Sequence, residues 1–274
     1  MPESVLGALP APSVVALCAR ERSRDMLRRS FPRRRGHLTL VKTAVEVADA
    51  LRSTMVDAVI VDLTQAGEEQ WSAAALAREF PSVPFFAFAA MRPADLPTLV
   101  RACNEFEFAD YLVDGVDDAM HRELLLPTTF TVRFATALRH GDEKLGLVGP
   151  LQRDVWRHVI SHGGRTVRTE TIATAMNLTR EHLSRRFSSG GAPNLKRVID
   201  LCRLLAASEL SKNPGYDLPD IARILGFASA SHLSASCQRV IGVKSSSLAR
   251  LRPADLIDKF VKQGRGRSRT PGTA

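Results

Sequence analysis

The segment TETIATAMNLTREHLSRRF, residues 169–187, sets Ile172, Ala173, Met176, Leu178, Leu183 and Phe187 at helical spacing around a break at Asn177–Leu178. Thr179 stands where a hydroxyl can accept a backbone N–H and open a second helix, and Glu181 and its neighbours give that helix a polar and basic outer side. Two short helices about such a turn form a helix-turn-helix. In this motif the second helix enters the DNA major groove, side chains near its N-terminal part meet base edges, and nearby cations hold phosphates. A related pattern returns in DLPDIARILGFASASHLSASCQRVIG, residues 217–242, with Ile221, Ala222, Leu225, Phe227, Leu233 and Val240 as the apolar positions. Residues 194–210, NLKRVIDLCRLLAASEL, read as one long helix that holds the two motifs rigidly apart.

Few other side chains are spaced for chemistry. Cys18, Cys103, Cys202 and Cys237 show no C-x-x-C spacing and each falls inside an apolar-periodic segment, as small core residues do. Neither a disulfide nor a metal site is expected of them. His158 and His162 are four apart on a predicted helix with no third ligand near, and read as polar-face histidines rather than a zinc site. There is no G-x-G-x-x-G, no G-x-x-x-x-G-K-[ST] and no nucleophile elbow, so no enzyme activity and no cofactor is expected.

Composition frames these motifs. At 274 residues and 45% apolar, the chain is long enough for two packed domains. The net charge of +9 is unevenly placed: residues 1–126 hold 14 Lys and Arg against 18 Asp and Glu, a balance of −4, whereas residues 127–274 hold 24 against 11, a balance of +13. The second half is the candidate polyanion binder, although acidic membranes and proteins attract such a surface as well as phosphate backbones do. No apolar run approaches the ~18 residues of a membrane span, and MPESVLGALP lacks the basic start and apolar stretch of a signal peptide. A cytoplasmic protein is therefore expected.

The elements that must carry these residues alternate in the first half. Apolar runs at 13–18, 37–41, 56–63, 83–89 and 108–113 predict five strands. The amphipathic stretches 21–30, 43–53, 69–79, 94–104 and 117–125 predict the helices between them, with Val45, Val47, Ala48 and Leu51 as the apolar set of the second. Crossovers of that length force parallel pairing, so a doubly wound α/β sheet is expected over residues 13–126, behind a flexible N-terminus at 1–12. Phe130, Phe134 and Leu138 predict one amphipathic helix over 127–141 within a linker at 127–150, packing inside the chain or serving as a dimer seam. From residue 151 the pattern is helical throughout, giving an all-α domain at 151–253, and residues 254–274 end in a basic, glycine-rich tail whose composition from Lys262 predicts disorder.

Over residues 151–252 the chain resembles the DNA-binding domain of the AraC/XylS family, in which two helix-turn-helix motifs joined by a long helix enter successive major grooves. IATAMNLTREHLSRRF looks like the first motif, and DIARILGFASASHL looks like the I-A-x-x-x-G-F-x-x-x-S-x-L/F signature of the second. The resemblance implies Glu181, Ser184 and Arg185 as base readers, with Arg180 and Arg186 on phosphates. In the second motif the corresponding positions are Ala230, Ser231, Ser234 and Ala235, with His232 beside them. Here the sequence departs from the family: Ala235 stands where an arginine is usual, Cys237 replaces a buried phenylalanine, and Ser245 stands where a proline is common. The second motif is thus expected to position the domain while the first supplies most of the specificity. Duplex DNA is the implied ligand, RNA polymerase a candidate partner, and a homodimer through the first half or the linker helix a candidate assembly.

The first half is similar to the receiver domain of response regulators, with VDAVIVDL as the third strand and Asp62 at the phosphoacceptor position. The residues that support phosphorylation there are missing. Ala19, Arg20 and Glu21 follow the first strand in place of an acidic pair, Ala89 takes the hydroxyl position, and Asp114 takes that of the lysine. Mg²⁺ requires hard oxygen ligands that Glu21 and Asp62 supply too thinly. An unphosphorylated, receiver-like regulatory or dimerisation domain ahead of a sequence-specific transcription regulator is the reading that follows. The alternative is an adaptor that works through protein contacts and binds DNA weakly and nonspecifically.

Overall fold

A computed structural model of the chain describes residues 10–90, 96–115 and 118–267. The chain divides into two compact units, one of residues 10–133 with 213–220 and the other of residues 134–212 and from 221 onward.

The N-terminal unit alternates β1 (Ser13–Leu17), α1 (Glu21–Ser30), β2 (His37–Val41), α2 (Ala44–Ser53), β3 (Ala58–Asp62), α3 (Glu68–Glu79), β4 (Phe85–Ala89), α4 (Leu96–Glu105), β5 (Asp110–Val113) and α5 (Asp118–Leu125). All pairings are parallel and the strand order is β2-β1-β3-β4-β5. Every residue of β3 and β4 is buried, which is why both read as continuous apolar runs rather than as alternating ones. One face of the sheet packs Val14, Ile60, Phe86, Phe88 and Leu112 against Met26, Leu27 and Leu125. The opposite face packs Val15, Leu17, Val59 and Val61 against Val47, Leu51, Ala73 and Ala77. Val45, grouped by spacing with Val47 and Leu51, is instead 68% exposed, because a ten-residue helix turns only part of its surface to the sheet. Residues 213–220 belong to this unit: Ser82 N donates to Asn213 Oδ1 at 2.7 Å, and Tyr216 sets its ring edge-on to Phe80 at 4.8 Å.

At the end of the sheet where the strands begin, Asp57 is buried and bonded from three directions. Its carboxylate accepts from Ser13 N at 2.8 Å and from Thr131 N and Oγ1, while its carbonyl accepts from Phe130 N at 3.1 Å. The chain leaves the unit from this end. The single helix predicted over 127–141 is a 3-10 turn at Leu126–Thr128, α6 (Phe130–Ala137) and α7 (Gly141–Lys144). Pro127 lies in the 3-10 turn, and Gly141 ends the run by donating to Leu138 O at 2.9 Å. Phe130, Phe134 and Leu138 are all buried.

The C-terminal half continues with α8 (Pro150–Ser161), α9 (Thr169–Ala175), α10 (Arg180–Phe187), α11 (Leu195–Leu210), α12 (Leu218–Ile224), which enters the C-terminal unit at Ile221, α13 (Ala230–Ile241) and α14 (Pro253–Arg267). Between Val198 and Leu210, α11 buries residues on every side, as a helix at the centre of a bundle must. Trp156 is fully buried and its indole N–H donates to Leu138 O at 3.0 Å. At Gly164 the backbone has φ +81°, and a Cβ would stand 2.1 Å from that of Ala206, so only glycine allows this loop to lie on α11. The tail expected to be disordered from Lys262 is helical through Arg267, because Ile257 and Phe260 bury one side of α14; residues 268–274 lie outside the described residues. Among the described residues, no helix is long and apolar enough to cross a membrane.

Candidate nucleic-acid interface

The first helix-turn-helix is α9 and α10. Ile172, Ala173, Leu183 and Phe187 form its buried side. The turn closes through Leu178 N to Ala173 O at 2.9 Å, with Asn177 at φ +54°, a left-handed conformation that asparagine tolerates better than most residues. Thr179 caps α10, its hydroxyl accepting from His182 N at 3.3 Å. At the other end Gln152 of α8 donates to Phe187 O at 2.8 Å and Ser189 O at 3.1 Å, satisfying carbonyls that the helix itself leaves open. Both ends of α10 are thus fixed by side chains.

Its outward face carries Arg180, Glu181, His182, Arg185 and Arg186, all exposed, with Ser184 half-buried. Arg180 pairs with Glu170 at 3.1 Å, but both side chains are more than half exposed, so the pair contributes little. Arg185 and Arg186 have no ion-pair partner among the described residues. His182 was not among the expected readers, yet it shares this face, three residues before Arg185 and four before Arg186. Its helical spacing was the available signal.

The second motif, α12 and α13, is built alike. Gly226 makes the turn at φ +68°, and a Cβ there would meet Thr166 Oγ1 at 2.4 Å. Ser229 caps α13 by accepting from His232 N at 3.1 Å, and Gly242 ends it in the left-handed region. Two of its expected contact residues are engaged internally. His232 Nδ1 accepts from Ala228 N at 3.3 Å while its ring stands edge-on to Phe227, and the Ser234 hydroxyl bonds that of Ser245 at 2.8 Å. Ala230 is half-buried, and Ser231 and Ala235 are exposed. Cys237 is fully buried, and burial pushes its thiol up to about 11, as befits a packing residue.

One carbonyl ties the two motifs together. Leu225 O, at the end of α12, accepts from Arg203 Nε at 3.2 Å and Nη2 at 2.9 Å on α11, and from Thr166 Oγ1 at 3.2 Å in the loop before α9. The same guanidinium lies 3.8 Å from the centroid of the Phe227 ring, and Asp200 pairs with both Arg203 and Arg239. The central helix therefore grips the turn of the second motif where the first motif's leading loop also touches it.

In the N-terminal unit, Asp62 ends β3 and is buried, its Oδ1 accepting from Thr64 N at 3.0 Å. Arg20 occupies the space beside it, with Nε 3.4 Å from Asp62 Oδ2, Nη2 2.7 Å from Thr64 Oγ1 and 3.8 Å from Asp114 Oδ2. Glu21 turns away to Arg24 and Arg28. The Arg20 guanidinium thus lies between the carboxylates of Asp62 and Asp114, while Glu21 is paired elsewhere. Elsewhere, the rings of His158 and His162 lie 4.7 Å apart, tilted by 57°, and among the described residues no group of three His, Cys, Asp or Glu is arranged for a metal. Cys18 and Cys202 are buried, each thiol pushed up to about 12 chiefly by desolvation.

Residues 172–250 match a family described as a helix-turn-helix domain, which spans both motifs and α11. No curated protein matches the chain. Among solved structures, a response regulator from Thermotoga maritima is 17% identical and covers 43% of this chain and 98% of its own, with a TM-score of 0.38. Full-length FixJ from B. japonicum is 14% identical over 83% of this chain and 96% of its own, with a TM-score of 0.39. The N-terminal signal receiver domain of a two-component response regulator from Bacteroides fragilis is 18% identical over 43% and 97%, with a TM-score of 0.39. The chain thus joins a five-stranded parallel α/β domain to a helical domain that matches a helix-turn-helix family over residues 172–250.

Proposed function

We propose that this chain is a cytoplasmic, sequence-specific DNA-binding transcription regulator without catalytic activity. The observation that carries this reading is the capped helix α10, whose exposed face offers Arg185 and Arg186 without internal ion-pair partners and Glu181 and Ser184 beside them. In this reading the two motifs enter successive major grooves. Arg185 reads a base, Arg180 and Arg186 hold phosphates, and α13 positions the domain through Ala230, Ser231 and backbone contacts. Selection of binding sites from random duplex DNA by the full-length protein at physiological salt tests it; a recovered two-part motif supports it, and no enrichment overturns it.

The N-terminal unit serves as a regulatory or dimerisation domain that is not phosphorylated. Arg20 supports this, since it neutralises Asp62 and bridges to Asp114 where a metal would have to bind. Incubation with acetyl phosphate and Mg²⁺ is expected to leave the protein's mass unchanged, and a phosphoryl adduct on Asp62 would sink this part. A second copy of the chain is the partner proposed for the face of α4, β5 and α5, where Leu96, Val100, Tyr111, Met120 and Leu124 are 38–56% exposed. That face also carries Arg101 and Arg122 with Glu105, Asp110 and Glu123, a mixture of signs that can pair with itself about a two-fold axis. RNA polymerase remains a candidate partner of the DNA-bound protein. The adaptor reading draws on one observation, that Ser234 and His232 are engaged internally; it requires any DNA binding to vanish at physiological salt.

A further inference from the structure

The turn between α1 and β2 contains three consecutive arginines, Arg33, Arg34 and Arg35, all exposed. They lie in a stretch, residues 26–45, that holds Arg28, Arg29, Arg33, Arg34, Arg35 and Lys42 and not one Asp or Glu, inside a half of the chain that is acidic overall. None of the three side chains has an ion-pair partner among the described residues, whereas Arg28 pairs with Glu21 and Asp25. The turn is also held in shape. Arg35 N and Gly36 N both donate to Pro32 O, at 2.7 and 3.1 Å, His37 N donates to Pro12 O at 2.8 Å, and Phe31 is buried beneath. A Cβ on Gly36 would already press on the Phe31 ring at 3.3 Å. Three like charges fixed side by side repel one another, a cost that an oppositely charged ligand relieves.

Position adds a second argument. In the register of the sheet His37 pairs with Ser13, and Val14 with Ala58, so the arginine turn sits at the end where the strands begin. Asp57 lies at that same end and binds Thr131 and Phe130, from which the chain runs on into the half that carries the helix-turn-helix motifs. The turn is therefore presented at the exit side of the domain rather than at the Asp62 end.

We infer that Arg33, Arg34 and Arg35 form a phosphate-binding surface of the receiver-like domain, which holds the backbone of the same DNA duplex beyond the bases read by the helix-turn-helix motifs. This rests on the DNA-binding reading above. The contact carries no sequence information and adds affinity by displacing counterions. The substituted residues are exposed, so an R33A/R34A/R35A variant should keep the parent's thermal midpoint.

The experiment compares full-length parent and variant on two duplexes, one trimmed to the selected site and one carrying that site with unrelated flanks, over a range of salt. Each phosphate contact contributes about −0.9 to the slope of log K against log salt, so the parent's slope on the flanked duplex should be steeper by roughly 2 to 3 than that of the variant. On the trimmed duplex the two proteins should agree, and an R33K/R34K/R35K variant should restore most of the difference. Equal slopes for parent and alanine variant on the flanked duplex overturn the inference while leaving the DNA-binding reading intact. Failure of the parent to prefer the site on either duplex overturns both.

Discussion

Arg185 bears the most specific expectation at the scale of single residues. It is exposed on a helix capped at both ends and has no internal carboxylate to satisfy it, so its fork is free to take a guanine O6 and N7 together. Arg185→Ala should weaken binding by about 1–3 kcal/mol, roughly fivefold to 150-fold, and relax preference at one base position only. Repeated site selection with the variant checks this, and an unchanged preference removes the residue from the readers. His158 gives a pH-dependent expectation of another kind. Burial, and secondarily the neighbouring His162, hold its pKa below the ordinary histidine value, and its Nε2 is buried with no partner among the described residues. The unfolded chain therefore takes up this proton first as pH falls. The stability gained by keeping the ring neutral is full above about pH 6.5 and is lost below it, through the lower folded-state value. His158→Phe should flatten the decline in urea midpoint between neutral and mildly acidic pH, and a variant as steep as the parent would clear this residue of the effect.

At the scale of elements, the sequence carried most of the fold because hydrophobic period is a local property. All five strands and the helices between them follow from runs such as VDAVIVDL, and α1 and α11 fall within a residue of their expected bounds. What stayed hidden depends on partners distant in the chain. Nothing local to Arg203 points to Leu225 and Phe227, 22 and 24 positions on, or to Thr166, 59 positions before that carbonyl. Likewise Phe130, Phe134 and Leu138 announced an amphipathic helix, while the break after Ala137 depends on how Leu138 O is shared by Gly141 and Trp156. In the candidate site the cap Thr179 and the basic face were legible; the engagement of Ser234 by Ser245 was not, because it joins α13 to the 3-10 helix that follows it, eleven residues on. The Arg203 contacts predict a positioning role. Arg203→Ala should cost about 2–3 kcal/mol of stability, from charge-assisted hydrogen bonds and the ring contact together. It should also loosen the tolerated spacing between the two halves of the selected DNA site, which a residue that only adds stability would leave fixed. Arg203→Lys, which keeps the charge but not the two-pronged grip on Leu225 O, should recover stability in part and spacing hardly at all.

At the scale of the whole molecule, the two halves differ in charge as they differ in fold, −4 against +13, and this division sets how copies of the chain can meet. Two strongly cationic C-terminal halves repel each other in free solution, so a dimer is more favourably built through the N-terminal half, where charge is mixed. The linker offers no seam, because Phe130, Phe134 and Leu138 are 2–6% exposed and already spent on the interior. The side of α4, β5 and α5 is the opposite case: β5 is an edge strand with Tyr111 44% exposed, and Val100 of α4 and Met120 of α5 are 56% and 46% exposed. Exposed apolar side chains near the open edge of a strand are costly for a monomer to keep in water. Tyr111→Arg and Val100→Glu should each raise the dimer dissociation constant about tenfold or more, on the scale of a buried anchor at an interface. Val45→Glu, 68% exposed on α2, should leave it unchanged. Sedimentation equilibrium of the full-length proteins separates these outcomes: a monomeric parent rejects this face as a self-association surface, and equal weakening by all three variants points to a nonspecific charge effect instead.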